Sequence, residues 1–372
     1  MHLVLFTLAF MDSLPVEICQ QIFLSALSLE SFTSRSLPTR EHATNFHIAA
    51  TCARWRDIAL QTASLWAQIK VHGLYDEPMI QYVSLHLERS GTFPLELRFL
   101  LKRMDAEERS DGEVYSRCLQ LAGEHVHHWS RVHIEIPDWM TRDDLAMLRM
   151  RCPLLEELVL LPVSAEASGI DYRSDNMLTH IYDITSSLEP ELPRYFRDAR
   201  HLVRLESHVT PMIPNHQLER LTFLSISLRD IPDAPLWLTL ALTPNLQDLR
   251  VYYPIYGSGW PNEPPSVEIN LLSLTNMALY GLPDSFDWID VFNAPKVHTL
   301  TVSIEPCPRL TRLFIKLRDT VRHLIITTVD PEDGGGFLNV TDAVALDNLT
   351  TLDTFEIRNL TKVMLQSWNG WV

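Results

Sequence analysis

One short pattern returns along most of this chain and limits what it can fold into. An apolar residue is followed by two variable ones, then by two apolar residues that flank a single variable position. The clear instances are LEELVL from Leu155, LQDLRV from Leu246, LTNMAL from Leu274, VHTLTV from Val297, VRHLII from Val321 and LDTFEI from Leu352. WAQIKV from Trp66 and WSRVHI from Trp129 fit the same template with Trp leading, while LVRL from Leu202 and LERL from Leu218 fit in part. On an extended segment alternate side chains point the same way, so the last two apolar positions enter a shared core and the residues between them face out. Successive starts from Leu246 lie 28, 23, 24 and 31 residues apart, and Leu155 lies 26 after Trp129. The segments between strands carry apolar turns such as DLAMLRMRC and SFDWIDVF, suited to a covering helix. CPLLEEL, TPNLQDL and APKVHTL each set a Pro just ahead of the strand, where it ends a preceding helix.

The pattern and its period resemble those of leucine-rich repeats. That resemblance implies a curved solenoid with a strand-lined face. In the family the eighth residue after each strand's first position is Asn or Cys and bonds the turn backbone. Here those positions are Val163, Pro254, Leu282, Glu305, Val329 and Leu360. The expectation is therefore an irregular array without an asparagine ladder. An ordinary α/β domain whose strands happen to carry the pattern is the alternative.

The first part of the chain reads differently. From Leu14, LPVEICQQIFLSALSLESF places Pro15 where a first helical turn tolerates it, and Ile18, Cys19, Ile22, Phe23, Ala26 and Leu27 recur at helical spacing. A polar stretch over residues 28–45 follows, then a second helix with Ile48, Cys52, Trp55 and Ala59 on one stripe. Ser64 is placed to cap a short third turn carrying Leu65 and Trp66. Three short helices make a marginal core by themselves, so such a module needs a surface to dock against.

Leu14-Pro15-x-Glu17-Ile18-x3-Ile22-Phe23, then Cys52-x2-Trp55-Arg56-x-Ile58-Ala59, then Leu65-Trp66-x2-Ile69, resemble an F-box in order and residue type. The loop over residues 28–45 is longer than the motif usually carries. The resemblance implies binding to the Skp-type adaptor of a cullin–RING ubiquitin ligase. Carried over by position, Leu14, Pro15, Ile18, Ile22 and Phe23 supply the adaptor-facing surface, with Trp55 partly available. The mode is a helix laid into an apolar groove. Together with the LERSGTFPLELRF segment, the architecture resembles fungal F-box proteins.

Bulk properties narrow the partners. With 31 Lys and Arg against 47 Asp and Glu the net charge is −16, which lacks the footprint of a general nucleic-acid or membrane-surface binder. Five cysteines, an odd number and widely spaced with no CxxC, suit a reducing compartment and argue against disulfide or zinc frameworks. The apolar start MHLVLFTLAFM and the sequons at Asn339, Asn348 and Asn359 support a weaker reading as a secreted or membrane-tethered protein.

No catalytic signature is present. His125, His127, His128 and His133 cluster in GEHVHHWSRVH, but no further ligand sits at metal spacing except Glu124 and Glu135. DPEDGGGF has neither the Lys-Ser/Thr end of a phosphate loop nor the alternation of a calcium loop, and reads as a surface turn. YYPIYGSGWPNEPP carries Tyr252, Tyr253, Tyr256 and Trp260, residue types that dominate binding hot spots, and is the candidate substrate-binding stretch.

The sequence thus predicts an α/β protein: an apolar segment over residues 1–11, a three-helix F-box-like module over 12–70, and an irregular leucine-rich-repeat-like solenoid over 71–372. The expected function is a substrate-recruiting, non-enzymatic ligase subunit in the cytoplasm or nucleus. It would have no cofactor or metal, an unidentified substrate protein, and no nucleic-acid or membrane partner. A repeat scaffold without a ligase connection is the alternative. The exposure of Leu14, Pro15, Ile22 and Phe23 separates the two, because a mere cap would bury that row.

Overall fold

The computed structural model describes residues 13–29, 44–73, 77–101, 110–137, 147, 150–162, 198–207, 219–227, 240–252, 269–280, 292–304, 310–328, 349 and 351–358. The chain divides into two compact units, Met1–Glu189 with Phe196–Ala199, and Pro190–Tyr195 with Arg200–Val372. The fold is mixed α/β, with helices first and parallel sheet after them.

The first unit opens with α1 (Val16–Leu29), α2 (Thr44–Thr51) and α3 (Ala53–Gln61), then a 3-10 turn at Ala63–Leu65. The stripe expected to run through one second helix is broken at Cys52. That residue is extended and caps α3, its Sγ accepting from the Trp55 N–H at 3.4 Å. Ser64 lies inside the 3-10 turn and does not cap it; Thr62 takes the cap position, with no side-chain cap bond. Thr62 instead donates to the Ile58 carbonyl at 2.7 Å and accepts from Gln20 of α1 at 3.1 Å, which ties the helices together. Their shared core is Cys19, Phe23, Leu27, Ile48, Ile58, Ala59, Leu65 and Trp66.

The chain then enters β1 (Gln68–Gly73), α4 (Glu77–Ser90), β2 (Leu95–Leu101), α5 (Ser110–Glu124), β3 (Trp129–Ile136) and β4 (Glu157–Pro162). The four strands pair in parallel in chain order. Gly91, with φ +56°, ends α4 in the left-handed conformation that glycine alone adopts without cost. The two Trp-led strands are launched by the same device. Trp66 Nε1 donates to the Ala59 carbonyl at 2.8 Å, and Trp129 Nε1 to the Ala122 carbonyl at 3.0 Å. In each case the bond reaches seven residues back. Each indole fills the space under its strand while its polar edge binds the end of the preceding helix.

The second unit holds β5 (Arg204–Ser207), β6 (Phe223–Ser227), β7 (Asp248–Tyr252), β9 (Asn276–Tyr280), β11 (Thr299–Ile304), β12 (His323–Thr328) and β13 (Thr354–Arg358), paired in parallel in that order. A separate short parallel pair joins β8 (Ile269–Asn270) to β10 (Phe292–Asn293), and α6 (Leu310–Leu317) precedes β12. The apolar positions of the pattern are buried in repeat after repeat: Leu246, Leu249 and Val251; Leu274, Met277 and Leu279; Val297, Leu300 and Val302. LERL from Leu218 is corrected: the buried set is Leu221, Leu224 and Ile226, so the repeat unit is LTFLSI, three residues later.

What holds the turns in register is main chain. Gln247 and Asp248 N–H both donate to the Thr222 carbonyl, Thr275 and Asn276 to Gln247, His298 and Thr299 to Thr275, and Arg322 and His323 to His298. Each repeat thus offers one carbonyl to two donors of the next. The Thr275 hydroxyl adds to the Gln247 carbonyl, and the Thr222 hydroxyl to the Val203 carbonyl, which the Thr222 and Phe223 N–H groups also share. The positions at which an asparagine ladder was sought, Val163 to Leu360, lie outside the described residues, as do the DLAMLRMRC segment bar Met147 and Met150–Cys152, and SFDWIDVF bar Phe292.

Candidate functional site

Two surfaces carry the residues singled out by sequence. The first is α1. Its amphipathic period divides neighbouring apolar residues between core and solvent. Cys19, Phe23 and Leu27 turn inward, and the Phe23 ring lies 5.0 Å from that of Trp55. Ile18 and Ile22, one turn apart, stay 40% and 38% exposed, and Pro15 and Val16 are exposed beside them. Phe23, expected on the partner-facing surface, is a correction: it is 1% exposed and belongs to the core. Leu14 and Trp55 are half-buried and packed against that core. Arg54 of α3 donates to the Leu14 carbonyl, which fixes the entry into α1.

The module is seated on the sheet by a buried polar joint. His86 of α4 bonds the Trp66 carbonyl through Nδ1 and Asn45 of α2 through Nε2, each at 3.0 Å. A neutral ring that donates to the carbonyl and accepts from the Asn45 amide satisfies both contacts. Burial holds its pKa down to about 4, so the ring stays neutral. Phe46 and Tyr82 pack against the same imidazole, and Arg89 lies over the Trp66 ring at 4.4 Å.

The second surface is the outward face of the sheet in the second unit, read from alternate strand positions. Register puts Arg204, Phe223 and Asp248 in one row and Glu206, Ser225, Arg250 and Ala278 in the next. The Arg204 guanidinium carbon stands 3.7 Å from the Phe223 ring centre and that of Arg250 stands 5.0 Å away. Each is paired on its own strand, Arg204 with Glu206 at 3.1 Å and Arg250 with Asp248 at 3.2 Å. Tyr252 and Tyr280 stack at 4.5 Å with 11° between planes. Burial, then its neighbour Tyr280, pushes the Tyr252 phenol up to about 12.

Of the four candidate substrate residues, Tyr252 closes β7; Tyr253, Tyr256 and Trp260 lie outside the described residues. Tyr280 was not singled out, yet the repeat carries its signal. LQDLRVY and LTNMALY both put Tyr one residue past the template, and parallel pairing makes them neighbours.

Among the described residues, no group of three or more His, Cys, Asp or Glu is arranged to hold a metal. His127 and His128 have ring centres 4.0 Å apart, and burial lowers the pKa of His128. No helix among them is long and apolar enough to cross a membrane.

With this geometry in place, comparison with known families is specific for one region. Residues 11–72 match the family model described as F-box-like. The chain is therefore an F-box domain-containing protein, a class that serves ubiquitin-ligase substrate recognition in general. A comparison with curated proteins found no match.

Proposed function

We propose that this protein is a substrate-recruiting subunit of a Skp–cullin–F-box type ubiquitin ligase. The single observation that carries the reading is the open apolar row on α1. Ile18, Ile22 and Pro15 remain exposed although the helix has its own buried face to satisfy. Of the four residues that separate this reading from a mere cap, Pro15 and Ile22 are exposed, Leu14 is half-buried and Phe23 is buried, so the reading stands on Pro15 and Ile22 with Ile18 beside them. An apolar groove on a Skp-type adaptor accepts such a row through anchors one turn apart.

In this reading the module docks to the adaptor, and the irregular leucine-rich-repeat-like solenoid over residues 71–372 holds the target, on the outward strand face of its part in the second unit. The protein does no bond chemistry. It raises the effective concentration of the target near a ubiquitin-loaded enzyme. The compartment that suits this role is the cytoplasm or nucleus.

The test is capture of a Skp-type adaptor by wild type and by an Ile18→Asp, Ile22→Asp double variant. Two carboxylates forced into an apolar interface cost several kcal/mol, against about 8 kcal/mol for a micromolar complex. Capture by wild type and loss in a variant that keeps its circular dichroism supports the reading. Equal capture by both, or capture by neither, overturns it.

A further inference from the structure

We infer that the Arg204–Phe223–Arg250 cluster and the adjacent Tyr252–Tyr280 stack form a docking patch for an extended, uncharged peptide segment that presents an aromatic or proline side chain. The inference rests on the reading of the second unit as the target-holding part, and it names the class of segment held.

Charge and shape select the class of segment. A chain of net charge −16 favours basic partners overall. This patch cancels its own charge. Both guanidiniums are met by carboxylates two residues away, at 3.1 and 3.2 Å. An acidic segment would have to displace Glu206 and Asp248, and a basic one would have to displace the arginines. A neutral segment displaces neither. The neighbouring residues continue the pattern, since β9 and β11 offer Asn276, Ala278, Thr299 and Thr301 in the same two rows. The rows stay uncharged across β9 and β11 and meet charge again only at β13, where Glu356 and Arg358 stand in register.

The shape is preformed. Arg250 is flanked in its row by the small residues Ser225 and Ala278, both buried, which leaves its guanidinium room to lie toward the Phe223 ring. Tyr252 and Tyr280 come from adjacent strands and are held face to face with nearly parallel ring planes, so little side-chain entropy is lost when a flat group joins the stack. Tyr and Arg are the residue types that concentrate binding energy in interfaces.

The test selects a phage-displayed library of random dodecapeptides on the full-length protein, and on a Tyr252→Ala, Tyr280→Ala variant. Expected are enriched clones with net charge near zero and an excess of Pro, Tyr, Phe or Trp, losing about tenfold in the variant. Their binding should change less than about twofold between roughly 50 and 500 mM salt. Acidic or basic consensus clones, enrichment that survives the variant, or no enrichment at all overturns the inference. Adaptor capture by the same preparations separates the two claims: the tyrosine variant should capture the adaptor as wild type does, whatever the library returns.

Discussion

Ile22 and Phe23 are neighbours with opposite fates, and the difference sets what mutagenesis will report. Phe23 is packed on Trp55 inside the module, so Phe23→Ala should cost about 3–5 kcal/mol of stability. Ile22→Ala should leave the fold within about 1 kcal/mol and, on the proposed function, weaken adaptor binding. Thermal melts of the two variants, beside adaptor capture, separate the roles. A partner-binding phenotype in Phe23→Ala without a lower melting point would contradict this assignment.

His86 gives a second test at this scale. Its folded pKa of about 4 lies below the ordinary value of 6.5, so between those limits the unfolded chain binds a proton that the folded one does not. The contribution is whole above pH 6.5 and is lost as pH falls toward 4. By pH 4 the loss amounts to about 3 kcal/mol from this one ring. His133, which burial and then Arg98 also hold at about 4, adds a slope of the same sign. Denaturation at pH 7 and pH 5 should show wild type losing stability on acidification and His86→Asn losing less. An unchanged slope in the variant would refute the joint.

The elements show what could be read from sequence and what could not. Helical period placed α1, because Cys19, Phe23 and Leu27 repeat at about one turn. Period alone does not say which of two adjoining stripes is core, and here a packing partner decided it: the Trp55 ring waits for Phe23. The break at Cys52 depended on a thiol acting as a cap, which propensity rules do not anticipate. LERLTFLSI contains two overlapping versions of the pattern, and only strand pairing selects the one starting at Leu221. The Trp-led strands were visible as motifs, but their cause lies in the indole bonds to Ala59 and Ala122. Trp129→Phe removes the donor together with the pyrrole half of a fully buried indole, so it should cost about 2–4 kcal/mol with no change in secondary structure. Chemical denaturation measures this, and a variant as stable as wild type would show the bond to be incidental.

Across the molecule, the sequence made parallel strands in chain order legible because each repeat carries the same buried triplet. The main-chain ladder that joins them, with one carbonyl serving two donors, leaves no mark on side chains and could not be foreseen. The row proposed to meet an adaptor was half legible: Pro15, Ile18 and Ile22 are open, Leu14 is half-buried, and Phe23 is core. The outward patch was legible only at Tyr252, because Arg204, Phe223, Arg250 and Tyr280 meet through register across β5, β6, β7 and β9.

At this scale the central claim is that α1 keeps its second apolar stripe open for a partner. Calorimetric titration of a purified Skp-type adaptor into the full-length protein, at several temperatures, tests it most directly. The account predicts a complex of micromolar affinity or tighter with a negative heat-capacity change, the mark of apolar burial, and no measurable heat for the folded Ile18→Asp, Ile22→Asp variant. Binding that is indifferent to those substitutions, or no binding by the folded wild type, would contradict it.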